Sequence, residues 1–103
     1  MVTARLPDVN PFDALGNPVR RDLLRALRTK PLTVGQLARR VPVSRPAVSR
    51  HLRVLEQAGL IETHTRGKHN VCAVRVQGLA PVHAFLDEFW DTALARLQEL
   101  ARK

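Results

Sequence analysis

Apolar residues recur at intervals of three and four along most of this chain, which is the signature of amphipathic helices. Phe12, Ala14 and Leu15 form a short apolar patch stopped by Gly16. Asn17-Pro18 reads as a helix cap followed by proline at the first helical position, and Val19, Leu23, Leu24 and Leu27 follow at helical spacing. Pro31 closes that helix. Thr33 caps the next one, with Gln36 three residues on completing a capping-box pattern and Pro42 ending it. Ser44 is the following cap, and Pro46 is tolerated in the first turn because its missing N–H would be unpaired there anyway. Val48, Leu52 and Leu55 then make one apolar stripe, with Arg45, Ser49, Arg50 and Arg53 on the opposite face. Gly59 supplies a left-handed stop. Residues 60–65 and 70–76 have the β-branched and apolar enrichment of strands, and Arg66-Gly67-Lys68 between them reads as the turn of a hairpin. The last helix, about 79–102, carries Val82, Phe85, Leu86, Phe89, Ala93, Leu97 and Leu100, a stripe widened by Trp90 and Leu94. The predicted fold is mainly α with one small β-hairpin (α+β), in the order α-α-α-α-β-β-α. An extended arm over residues 1–11 precedes a single domain over 12–103.

Composition turns this scaffold toward a polyanion. The chain has 103 residues, 45% apolar and 25% charged, with a net charge of +8. Small basic globular domains of this kind usually meet nucleic acid or an anionic surface. The charge is uneven: residues 1–38 carry +3, residues 39–76 carry +6 and residues 77–103 carry −1. A membrane-surface protein needs its cations on the polar face of an amphipathic helix, whereas the amphipathic last helix is net acidic. No apolar run approaches a membrane span, and the segment MVTARLPDVNP lacks an apolar h-region, so neither membrane insertion nor a secretory signal is expected. Cys72 stands alone, without a disulfide partner, and the expected compartment is the cytoplasm. No Ser-His-Asp spacing, glycine-rich phosphate loop or paired carboxylate set is visible, so no enzymatic activity and no cofactor are expected.

Two short helices joined by a tight turn, the second with a basic outer face, fit a helix-turn-helix. Such a recognition helix, here about 44–58, buries one side and presents short polar and cationic side chains to base edges in the major groove. Arg45 and Arg50 suit bidentate bonds to guanine, Ser49 suits a base or a phosphate, and Arg53 a phosphate. The helix starts at Thr33 and Ser44 offer backbone N–H groups to phosphates. The hairpin, about 60–76, has the form of a wing whose tip carries Arg66, Lys68 and His69. The expected partner is double-stranded DNA. The alternatives are a non-specific architectural DNA binder or a protein-interacting winged helix, and the base-reading arginines favour the specific binder.

The sequence resembles the ArsR/SmtB family of small winged helix-turn-helix repressors over roughly residues 12–102. The resemblance rests on ALGNPVRRDLL (14–24), LTVGQLA (32–38), SRPAVSRHLRVL (44–55) and AGLI (58–61). It implies a homodimer built from the first and last helices that binds an inverted-repeat operator and represses transcription. It also implies DNA contacts at Arg45, Ser49 and Arg50, although Pro46 removes one polar contact from the family's serine-rich stretch. The family's metal sites are broken here: Thr33 and Gly35 stand where two cysteines would be, and Pro81 and Leu94 where an aspartate and a histidine would be. His83 with Asp87 makes a pair too small for a closed zinc site, and Cys72 alone cannot form the intrachain pair of redox members. The chain thus resembles the subset without a recognised inducer site, and its inducer is unknown. Phe89-Trp90-Asp91 also matches that subset, in which an aromatic pair packs the dimer. Phe12, Leu15, Phe85, Leu86, Phe89, Trp90 and Leu97 are accordingly expected at the dimer interface, the alternative for Trp90 being the chain's own core.

Overall fold

The computed structural model describes residues 9–102. Most of the expected arm therefore lies outside the described residues. Pro11, counted with that arm, is instead the first residue of helix α1 (Pro11–Leu15), capped by the Asn10 side chain, which accepts from the Asp13 N–H at 2.9 Å. The apolar patch 12–15 is this helix. Helix α2 (Pro18–Ala26) starts as its sequence predicts, with Asn17 Oδ1 accepting from the Arg20 N–H at 3.1 Å. Helix α3 (Val34–Ala38) and helix α4 (Arg45–Gln57) follow, then a hairpin and helix α5 (Ala80–Ala101).

Two elements escape the apolar pattern. Leu32–Thr33 forms a two-residue strand, β1, so the sheet has three antiparallel strands in the order β1-β3-β2, with β2 at Ile61–Arg66 and β3 at His69–Val74. Two residues are too few for any periodicity to register; β1 exists because β3 offers it partners, Leu32 opposite Cys72 and Thr33 opposite Val71. The second is a 3-10 turn at Val76–Leu79, which takes the end of the expected second strand and the start of the last helix. The hairpin turn is also tighter than expected. Arg66 pairs with His69, so only Gly67 and Lys68 make the loop.

The core lies between α2, α3, α4 and the sheet. Leu23, Leu37, Val48, Leu55, Leu60, Ile61 and Cys72 are its largest fully buried side chains. Cys72 sits beside Thr63, whose hydroxyl is 3.7 Å from the sulfur, and burial pushes its thiol pKa up, away from the reactive thiolate. The end of α4 is closed by a Schellman motif: the Gly59 N–H donates to Glu56 O at 2.9 Å and the Leu60 N–H to Leu55 O at 3.0 Å. Gly59 takes φ 78°, which L side chains avoid.

Helix α5 stands apart from this body. It is 22 residues long, roughly 33 Å at the helical rise, and none of its residues is buried. The radius of gyration is accordingly 17.5 Å, against about 13 Å for a compact chain of this length. The helix touches the body through α1 and the 3-10 turn. Phe12 meets Phe85 edge-on at 5.4 Å between centroids, and Phe85 meets Phe89 at 5.1 Å, which fixes the root of α5 against α1.

Candidate nucleic-acid interface

Helix α4, the expected recognition helix, is built by its own sequence. Ser44 Oγ accepts from the Ala47 N–H at 3.3 Å, and Val48, Leu52 and Leu55 bury one stripe at i, i+4 and i+7. That geometry turns Arg45, Ser49, Arg50 and Arg53 to solvent. Arg66, Lys68 and His69 are exposed at the wing tip, where Gly67 takes φ 59°. Among the described residues, no carboxylate lies within 4.0 Å of Arg45, Arg50, Arg53, Arg66 or Lys68. These cations carry no internal counter-charge, so a phosphate or a base edge meets them without displacing a partner.

Two of the expected positions take further duties. Thr33 is half-buried and closed into a capping box, its Oγ1 accepting from the Gln36 N–H at 3.1 Å while its own N–H donates to Gln36 Oε1 at 2.8 Å. Its amide is thus engaged and its hydroxyl oxygen accepts one bond, while the hydroxyl keeps its own proton to donate. The guanidinium of Arg45 lies over Gly35, 3.8 Å from where a Cβ would stand. It therefore reaches back across the turn toward the start of α3.

One connection has no signature in the sequence. Arg20 donates from Nε to Ala14 O at 2.7 Å and from Nη2 to Asp13 O at 3.2 Å, capping the last turn of α1. Its Nη1 is 3.3 Å from His51 Nδ1 on the recognition helix. Burial and the nearby charges of Arg20 and Arg50 push the His51 pKa below its ordinary value. A neutral ring then accepts from Arg20 at Nδ1 and keeps its proton on Nε2. Arg20 thereby joins α1, α2 and α4, although its spacing marks it only as an outward cation on α2.

The interface residues expected on the first and last helices fall into two groups. Phe12, Phe85, Leu86, Phe89, Trp90 and Leu97 are exposed in the single chain, Trp90 at 64%. The alternative that Trp90 belongs to the chain's own core is overturned by that exposure. Leu15 is half-buried and packs against the core. Leu94 and Leu100 extend the same exposed stripe. His83 and Asp87 approach to 3.3 Å on the surface of α5, and no third ligand joins them among the described residues.

A family model described as a helix-turn-helix domain matches residues 15–64. The chain is 43% identical over 100 residues to the HTH-type transcriptional regulator Rv2034 of Mycobacterium tuberculosis, covering 97% of this chain and 92% of that one. It is 37% identical over 59 residues to the transcriptional repressor SdpR of Bacillus subtilis, covering 57% of this chain and 66% of the repressor. Among solved structures, an ArsR family transcriptional regulator superposes with a TM-score of 0.72 at 34% identity, over 79% of this chain and 89% of that one. A possible transcriptional regulator for arsenical resistance superposes with a TM-score of 0.71 at 40% identity, over 84% and 90%.

Proposed function

The chain belongs to the ArsR family of helix-turn-helix transcriptional regulators, and from that we propose that it is a homodimeric repressor that reads an inverted repeat in double-stranded DNA. The observation that carries this reading is the outer face of α4. Arg45, Ser49, Arg50 and Arg53 share it, exposed and without carboxylate partners among the described residues, while the inner face is locked into the core. Ser49 and Arg50 stand on the first two turns of α4, the part of a recognition helix that enters the major groove. Arg53 and the wing-tip pair Arg66 and Lys68 suit the phosphate backbone. Dimerisation is supported by α5, an amphipathic helix whose apolar stripe has no cover in the single chain. Two copies related by a twofold axis present two recognition helices to one duplex. The name of the Bacillus subtilis relative supports repression over activation.

Selection from a library of random duplexes tests the proposal. The enriched sequences should hold two copies of one half-site in inverted orientation, centres one helical turn apart or a multiple of it. Enrichment of no motif supports an architectural binder instead. Two substitutions then separate the roles. Arg50→Ala should cost about 1–3 kcal/mol on the selected site and relax the preference at one base pair per half-site. Lys68→Ala should weaken all duplexes alike and lower the slope of log affinity against log salt by about one for each subunit. Fluorescence anisotropy at several salt concentrations reads both.

A further inference from the structure

A groove of about 390 Å³ opens between α2, the end of β3 and the 3-10 turn that leads into α5. Its floor is apolar: Leu15 from α1, Leu24 from α2, Val74 from β3, and Val76 and Leu79 from the 3-10 turn. Val76 is 72% exposed there and adjoins the other apolar side chains of the groove. The rim is cationic, formed by Arg21, Arg25 and Arg28, which follow one another along α2. Arg21 spends one N–H on Leu15 O, and Arg25 pairs with Asp22. Arg28 has no carboxylate within 4.0 Å among the described residues. With Asp22 counted, the rim keeps a net charge of +2.

We propose that this groove is an effector site for an amphipathic anion, an unbranched alkyl carboxylate whose chain lies on the apolar floor and whose head meets Arg25 and Arg28. The volume falls in the range of small-molecule pockets, and apolar walls with a few placed polar groups are what such pockets share. Guanidinium forks match carboxylates in geometry. The location supplies the coupling. The groove touches α1, the end of the wing and the root of α5, so an occupant bears on the joint between the helix proposed for dimerisation and the body that carries α4. The regulatory part rests on the reading of the chain as a DNA-binding dimer; the binding part does not.

Calorimetric titration of the full-length protein with octanoate, decanoate and dodecanoate, each below its micelle concentration, tests the site. Affinity should rise about tenfold with each added pair of methylenes. Dodecyltrimethylammonium should bind at least tenfold more weakly than dodecanoate. Arg25→Gln combined with Arg28→Gln, and separately Val76→Glu at an exposed position, should each weaken dodecanoate at least tenfold while the circular dichroism spectrum and sedimentation stay those of the parent. Equal binding of the cationic and anionic chains, or no binding of dodecanoate to protein that still binds DNA, overturns the site. Dissociation of the Val76→Glu variant into monomers also overturns it, because a second copy is then the occupant. The titration is repeated on the DNA complex. A dodecanoate affinity that differs at least fivefold from that of free protein supports the effector role, by the reciprocity of linked equilibria. Equal affinities overturn that role. A protein that binds dodecanoate but shows no preference among duplexes overturns the proposed function and leaves the site standing.

Discussion

Trp90→Ala is expected to convert the protein from a dimer to a monomer at micromolar concentration. The indole is 64% exposed in the single chain and stands on a helix with no buried residue. Its removal therefore leaves the chain's own core intact, and the helical circular dichroism signal should stay unchanged. In a twofold dimer the substitution removes the side chain from both subunits at once. A buried interface tryptophan is commonly worth about 2 kcal/mol or more. Two of them amount to about 4 kcal/mol, roughly a thousandfold in the dimer dissociation constant. Sedimentation velocity measures the shift directly. A variant that stays fully dimeric at micromolar concentration removes Trp90 from the interface.

Gly78→Ala is expected to destabilise the fold by about 3 kcal/mol, the upper end of the usual overpacking cost. A Cβ at this position would lie 1.9 Å from Gly59 O and 2.7 Å from Gly59 C, both backbone atoms that cannot swing aside. The same carbonyl accepts from Arg75 Nη1 at 2.7 Å. The end of α4, the end of β3 and the 3-10 turn before α5 thus meet at one point. Gly67→Ala is the comparison. There φ is 59° and no atom lies within 4 Å of the added methyl, so only the backbone conformation resists, at about 1–2 kcal/mol. Urea denaturation at fixed protein concentration should rank Gly78→Ala well below Gly67→Ala. The reverse order would mean that the 3-10 turn does not pack on Gly59.

The elements bounded by local chemistry were legible in the sequence. Asn17, Thr33 and Ser44 cap the helices they were expected to cap, and Gly59 takes the left-handed stop. Such signals act within four residues, so they survive without knowledge of the fold. Features that depend on distant partners were not legible. Strand β1 exists through its pairing with β3, and the bond from Arg20 to His51 spans 31 positions. Gly78 likewise gives no local sign that it packs on the Gly59 carbonyl. The same division holds at the candidate site. The helical period identifies the outward face of α4, but it does not reveal that Arg45 leans over Gly35. For α5, the apolar stripe that would ordinarily mark a core is exposed in the single chain. A sequence records that such a stripe needs cover, not which chain supplies it.

Sequence-specific recognition of DNA by the exposed face of α4 is the property on which repression would depend. A competition mobility-shift titration tests it most directly, using the duplex upstream of the protein's own gene against a scrambled duplex of the same composition at physiological salt. The upstream duplex should be preferred about a thousandfold or more, the lower bound for specific regulators. A ratio near one, with both duplexes bound equally and equally sensitive to salt, would contradict it.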